Sequence, residues 1–325
     1  MKETQFPETL IEAVKYFAEG DNAFNFVVTL RWPNGVCCPR CNSSNVGFVA
    51  TRKLWECRSC MKKKQFTVKV GTIFEDSALK LDKWLCALWL ISNAKNGISS
   101  YELHRSLGVT QKTAWFMLHR IRLALKAGSF EKMGGEVEAD ESFVGSKSVN
   151  RHFGKKTTGT GPMDMTAVAG LLERGKDGKP SRVKVRVARS RRKADLQANI
   201  RENVTEGAAV FTDALKSYNG LNDAYTHEFI DHAETYVRGR VHTNGLENFW
   251  SLLKRTVKGT YVCVEPFHLS RYLDEQVFRF NERKDCDAGR FLKAAAGIIG
   301  KGISYAELIA GKGGEDLLPD TAGTW

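Results

Sequence analysis

EVEADESFVG, residues 136 to 145, sets four carboxylates within six positions of a chain whose formal net charge is +12. Read with the two-residue period of a β-strand, Glu136, Glu138 and Asp140 share one face while Val137 and Ala139 share the other. Like charges side by side raise one another's pKa unless a cation neutralises them. Two neutralisers are open to this strand. The chain's own Lys and Arg would make it an ordinary solvated face, whereas a bound divalent metal would make it a site.

Around this stretch the pattern alternates apolar and polar residues over short runs. It predicts strands at MTAVAGLLE (165–173), SRVKVRVARS (181–190), AAVFTDAL (208–215) and YTHEFID (225–231). In the second of these Val183, Val185 and Val187 point inward and Lys184 and Arg186 outward. Helical periodicity marks ADLQANIREN (194–203) and NGLENFWSLLKRTVK (244–258). Three strands, a helix, a strand and later helices make residues 131–290 a mixed sheet of α/β or α+β type. GKKTTGTG (154–161) reads as a flexible loop, and the Gly-rich tail from 291 to 325 as loose.

Upstream, residues 77–130 are helical in pattern. SALKLDKWLCALWLISNAKNG (77–97) opens on a Ser or Asp cap and carries Leu81, Trp84, Leu85, Leu88 and Trp89 on one side. A second helix follows, then a turn at Gly108 and a third helix capped by Thr110. This is a helix-turn-helix pattern with Leu103, Leu107, Trp115, Leu118 and Leu125 inside, and Gln111, Lys112, Thr113 and Arg120 free to face a DNA groove. A plain two-helix hairpin has the same pattern. Residues 1–25 suggest a short amphipathic helix with Leu10, Val14, Phe17 and Ala18 on its apolar side.

Residues 26–76 are rich in turns and aromatics and hold Cys38-Pro-Arg-Cys41 and Cys57-Arg-Ser-Cys60, fifteen residues apart. Two C-x2-C pairs at this spacing suit four thiolates around one tetrahedral zinc, with Cys37 as an alternative to Cys38. Four protein ligands leave no open coordination position, so the metal is structural and the basic segment RKLWECRSCMKKK is available to a phosphate surface. Residues 1–130 hold 19 Lys and Arg against 10 Asp and Glu, an excess of +9 that favours a polyanionic partner. No run of 18 apolar residues and no signal-peptide pattern occurs, so an intracellular, cytoplasmic protein without a membrane partner is expected.

Two further acids stand out. Asp213 ends the apolar run AAVF, as a metal ligand or as a helix cap. Glu247 shares a helix face with Ser251, Lys254 and Lys258, opposite a core stripe of Leu246, Trp250, Leu253 and Val257.

CPRC and CRSC, VEADESFVG, FTDALKSYNGL and HTNGLENFWSLLKRTVKGTY with HLSRYLDEQVFRFNER together resemble insertion-sequence transposases of the IS1595 (ISXO2-like) type. The likeness runs from about residue 25 to 285. It implies a zinc ribbon ahead of an RNase H-like DDE domain, with Asp140, Asp213 and Glu247 as the catalytic acids. Lys254 is then the basic residue seven positions after the last acid. Some relatives carry Asn or another residue in place of the third acid, and Asn244 and Asn248 flank Glu247. Such a triad would bind two Mg²⁺ (or Mn²⁺) ions about 3.5 to 4 Å apart and attack phosphodiesters with water or a 3′-hydroxyl.

The implied partners are double-stranded DNA, as transposon terminal inverted repeats and target, and further copies of the chain, in a bacterial nucleoid. Arg189, Arg191, Arg192 and Lys193 are either phosphate contacts or a solvated basic turn, and His242 and Asn244 are placed to orient the final helix. A non-catalytic DNA-binding regulator and a simple Mg²⁺-dependent nuclease are the competing functions.

Overall fold

The computed structural model describes residues 6–126, 131–145, 165–188, 192–213, 218, 220–230 and 241–310. They fall into two compact units, Met1–Ala127 with Asp285–Ile309, and Gly128–Lys284 with the C-terminal residues from Ala310.

The first unit opens with α1 (Leu10–Ala18), whose start is fixed by a capping box: the Thr9 hydroxyl accepts from the Glu12 N–H and the Glu12 carboxylate from the Thr9 N–H. Its buried residues are Ala13 and Phe17, one turn apart, while Leu10 and Val14 are exposed. The apolar side is therefore rotated from the expected one. A second helix, α2 (Asn22–Arg31), crosses the expected boundary at residue 25. Phe24 and Trp32, on and just after it, pack on Trp55 with ring centroids at 5.7 and 5.2 Å.

Trp55 belongs to a three-stranded antiparallel sheet, β1 (Val46–Val49), β2 (Leu54–Cys57) and β3 (Gln65–Phe66), in that order. Three helices follow: α3 (Leu81–Asn93), α4 (Ser100–Leu107) and α5 (Gln111–Leu125). The α3 helix starts four residues later than its pattern suggests. Ser77 lies outside it and accepts a hydrogen bond from Trp84 Nε1 at 3.0 Å. The α5 helix carries the expected cap on Thr110, and α4 is capped by Ser99.

The second unit is built on β4 (Glu136–Val144), β5 (Thr166–Glu173), β6 (Arg182–Val187), α6 (Lys193–Asn203), β7 (Ala209–Asp213), β8 (Thr226–Ile230), α7 (Asn244–Thr256) and α8 (Leu269–Asn281). The five strands form one mixed sheet in the order β6-β5-β4-β7-β8. The β6–β5 and β5–β4 pairs are antiparallel, whereas β4–β7 and β7–β8 are parallel. Both faces are covered. Val137, Ala139, Leu171 and Val210 pack with Leu196 and Ile200 of α6 on one side. Val168, Leu172 and Val183 pack with Leu246, Trp250 and Leu253 of α7 and Leu273 of α8 on the other. Asn281 of α8 clamps the edge strand β6 through both the N–H and the carbonyl of Val183.

The chain then returns to the first unit with α9 (Asp287–Ala296) and α10 (Tyr305–Ala310). Phe291, Ala294, Ala295, Ile298 and Leu308 are buried, and the Phe291 ring lies 5.0 Å from Trp89 and 5.6 Å from Phe17. The expected loose tail is thus ordered as far as residue 310, because this aromatic contact and the small residues around it form core. Residues 311–325 and the loop at 154–161 lie outside the described residues. Among the described residues no helix is long and apolar enough to cross a membrane.

Candidate catalytic and zinc sites

The strand EVEADESFV lies inside a sheet covered on both faces, so its acids do not form a solvated face. Glu138 is 1% exposed. Glu136 and Glu138 are met by the chain's own cation: Arg174, just past β5, donates to Glu136 Oε2 at 3.1 Å and to Glu138 Oε1 at 2.8 Å. Asp140 has no such partner among the described residues. Its Oδ2 accepts from Trp250 Nε1 of α7 at 2.9 Å. Its pKa is pushed up to about 6, first by burial and then by Asp213 and Glu247, against the lowering bonds from Trp250 and the Glu141 N–H.

Asp140 and Asp213 come together through strand register. Ala139 of β4 pairs with Thr212 of the parallel strand β7, so the two aspartates follow one step on, at the same end and on the same face of adjacent strands. Glu247 arrives on α7, one turn before Trp250, and is exposed. Lys254 lies two turns further along the same exposed face, and the stripe of Leu246, Trp250, Leu253 and Val257 is buried as its spacing predicts. Two further carboxylates, Asp213 and Glu247, raise the cost of charging Asp140. The helix-cap alternative for Asp213 concerns residues 214–217, which lie outside the described set.

The close approach of α7 to the sheet depends on Gly170. It pairs with Asp140 across β4 and β5, and a Cβ there would lie 2.7 Å from Trp250 Cζ2. Gly170→Ala is expected to displace the Trp250 ring from Asp140 and to destabilise this unit by about 1 to 3 kcal/mol. Urea unfolding followed by Trp fluorescence measures it, and an unchanged midpoint would mean the helix shifts without strain.

The four sulfurs of Cys38, Cys41, Cys57 and Cys60 all lie within 4.8 Å of one another, with Cys38 to Cys60 at 3.7 Å and Cys41 to Cys57 at 3.6 Å. A tetrahedron with Zn–S bonds of about 2.3 Å requires sulfurs about 3.8 Å apart, so the residues fit the metal. Cys37 stays outside the group. Among the described residues this is the one set of three or more Cys, His, Asp or Glu whose ligand atoms meet so closely. The Cys60 thiol is pushed up to about 12, first by its hydrogen bond with Cys41 and then by burial, as expected of thiols crowded with no cation between them.

The groups expected to face DNA divide. Arg120 does not face outward: it is 6% exposed, and its guanidinium donates to the carbonyls of Ile303 (3.0 Å), Ile73 (2.9 Å) and Glu75 (2.5 Å). Lys112 is exposed, with Nζ 4.5 Å from the Tyr305 ring centroid. Gln111 donates to the Ser100 hydroxyl at 2.9 Å, and Thr113 shares a hydrogen bond with Thr110 at 2.7 Å. Leu103, Leu118 and Leu125 are buried, whereas Leu107 and Trp115 are half-buried. Arg192 and Lys193 are exposed at the start of α6, and Arg189 and Arg191 lie outside the described residues. Asn244 and Asn248 are exposed, and His242 is held by Arg174.

Arg174 and the Trp250 indole N–H are site features that the sequence reading missed. Trp250 was legible only as core, although a glycine inside a strand, here Gly170, signals a close approach.

A family model described as an ISXO2-like transposase domain matches residues 132–281, and one described as a transposase zinc-ribbon domain matches residues 19–63. An uncharacterized protein in transposable element ISH50 of Halobacterium salinarum is 30% identical over 257 residues, 74% of this chain and 84% of that protein. This chain belongs to the IS1595 transposase family. An uncharacterized transposase-like protein of Haemophilus influenzae is 33% identical over 89 residues, 27% of this chain and 72% of its own. The cysteine cluster of this transposase falls inside the zinc-ribbon match, and Asp140, Asp213, Glu247 and the whole five-stranded sheet fall inside the transposase-domain match.

Proposed function

We propose that this transposase is a DDE enzyme that cuts transposon ends and joins the resulting 3′-hydroxyl to target DNA. The observation that carries the reading is the pairing of β4 with β7, which delivers Asp140 and Asp213 side by side, with Glu247 one turn from the tryptophan that grips Asp140. The strand order, three antiparallel strands followed by two parallel ones across the first, supports an RNase H-like reading of this unit. Mg²⁺ or Mn²⁺, when bound, would activate the attacking oxygen and stabilise the leaving one in an in-line displacement at phosphorus.

The protein's part is to hold the donors. Asp140 and Asp213 project from paired strands, where neither can drift. Glu247 supplies the third carboxylate, and Lys254, exposed two turns on, meets a phosphate of the same DNA strand. In the cutting step water adds to phosphorus and the bond to the 3′-oxygen breaks, leaving a 3′-hydroxyl on the transposon end. In the joining step that hydroxyl is the nucleophile at a target phosphate.

In the first unit, the ribbon's basic residues and the exposed Lys112 support contact with the DNA backbone, and α4 with α5 supports a helix-turn-helix reading in which Gln111 and Thr113 lie at the start of the second helix. Arg192 and Lys193 are suited to phosphate contact at α6.

Incubating the protein with DNA from the flanks of its own reading frame and Mg²⁺ tests the proposal. Asp213→Ala is expected to abolish cutting and joining while DNA affinity stays within about twofold of the parent. Cutting without joining in the parent would favour a simple nuclease, and binding with neither step would favour a regulator.

A further inference from the structure

We propose that Glu138 is a positioning residue for the catalytic acids: from inside the sheet it caps the first turn of α7 and so sets where Glu247 stands relative to Asp140. The inference rests on the DDE reading above.

The α7 helix begins after Thr243, whose side chain makes no capping bond, yet the first N–H groups of a helix need acceptors when buried. The Leu246 N–H finds one 108 residues away in sequence: it donates to Glu138 Oε2 at 3.0 Å. Leu246 precedes Glu247, so the bond fixes the turn from which Glu247 projects. A carboxylate at a helix N-terminus is also favoured by the helix dipole. The fit is tight, because a Cβ at Gly245 would lie 2.8 Å from that same oxygen. Thr243 Oγ1 donates to Glu247 Oε1 at 3.5 Å, so the turn held by Glu138 also carries a hydroxyl that meets the third acid.

A carboxylate this buried requires a partner to stay charged. Arg174 provides it through Nε at 2.8 Å to Oε1. Its other nitrogens reach Glu136, the His242 carbonyl at 2.8 Å and His242 Nδ1 at 2.9 Å, and the guanidinium lies over the Phe211 ring of β7 at 4.6 Å. Because a guanidinium only donates, His242 Nδ1 accepts from it. The approach of His242 Nδ1 to Glu138 Oε1 at 3.4 Å is therefore no ion pair in this arrangement. Arg174 thus ties β4, the end of β5, β7 and the segment entering α7 to one point.

Glu138 and Asp140 share a strand face two residues apart. The backbone that carries one metal-binding acid therefore also carries the cap of the helix that brings the third. A buried ion pair kept for stability alone could give way to apolar residues of similar volume. The second oxygen, spent on Leu246, has no such substitute.

Glu138→Gln tests this, since glutamine keeps the volume but has one acceptor for two donors. Amide exchange at Leu246 and Glu247 in the metal-free protein is expected to quicken at least tenfold relative to the strand core, with zinc content unchanged. Mn²⁺ affinity, read by electron paramagnetic resonance, and turnover are expected to fall about 10- to 100-fold. Gly245→Ala reaches the same bond from the other side, keeps Glu138 and Arg174, and is expected to give the same pattern. A lowered melting temperature with unchanged Mn²⁺ affinity and no selective exchange at Leu246 would overturn the inference. Asp140→Asn is the control: if it retains Mn²⁺ binding and cutting, the DDE reading itself fails, whatever Glu138 does.

Discussion

Asp140→Asn is expected to eliminate cutting and joining and, in the same protein, to raise the melting temperature above pH 6 in metal-free buffer. Both effects come from one charge. The Asp140 carboxyl ordinarily titrates near 3.8 and is pushed up to about 6 here, chiefly by burial. A carboxyl whose pKa is raised on folding favours the folded state below its unfolded value and loses that contribution as pH rises through the folded value. The penalty therefore grows between about pH 4 and 6 and is complete above that. Two units of displacement correspond to at most about 3 kcal/mol.

Asparagine cannot ionise, keeps an oxygen for the Trp250 N–H, and escapes the penalty. Melting both proteins at pH 5 and pH 8 checks this, because their difference cancels the acid sensitivity of the thiolate cluster. The gap at pH 5 should be about half that at pH 8. Added Mg²⁺ should raise the parent's melting temperature and leave the variant's unchanged. The loss of activity should reach about 10²- to 10³-fold or more, the scale of removing one preorganised electrostatic contact from a transition state. Equal melting at pH 8, or cutting that survives in the variant, would count against Asp140 as a metal-binding acid.

How far the sequence reveals this arrangement depends on the range of each interaction. The strands β4 to β8 and α6 and α7 follow from local alternation, since period-two and period-3.6 patterns report which side is buried without naming the partner. The cysteine spacing is likewise legible, because each half of the ligand set is a local C-x2-C pair. Arg120 was misjudged because a helical Arg looks solvent-facing unless its acceptors are known, and those are carbonyls 45, 47 and 183 residues away. The division of labour on EVEADESFV failed for the same reason. Arg174 pairs with acids 36 and 38 residues upstream, so nothing near the strand announces which acids are neutralised by the chain itself. The tail misled through composition: its glycines look loose, yet Phe291 closes an aromatic contact with Phe17 and Trp89 that only the fold assembles.

Removal of zinc is expected to unfold residues 38–66 locally and to abolish high-affinity DNA binding. The competing term is aromatic packing. Trp55 and Phe66 are buried, and Phe24, Trp32 and Phe48 lie against Trp55 with centroids between 5.0 and 5.7 Å. Such pairs contribute about 0.5 to 1.5 kcal/mol each beyond their burial. Strands of four, four and two residues add little stability of their own. A structural Zn²⁺ in a small domain contributes about 10 to 16 kcal/mol at neutral pH, so the metal decides.

The thiols set the sign of the pH effect. The Cys38 thiol is lowered to about 7 because backbone N–H groups of Arg40 and Cys41 and neighbouring thiols outweigh its burial, whereas the Cys60 thiol, at about 12, ionises only with a cation present. Zinc uptake should therefore release protons, and its affinity should fall as pH drops, most steeply below 7. Cys57→Ser removes a buried ligand from β2 and should leave Trp55 and Glu56 amides exchanging at unfolded-chain rates, with zinc content near zero. If those amides stay protected in the substituted protein, the aromatic packing on α2 holds the sheet by itself, and the metal serves the DNA-facing loops alone.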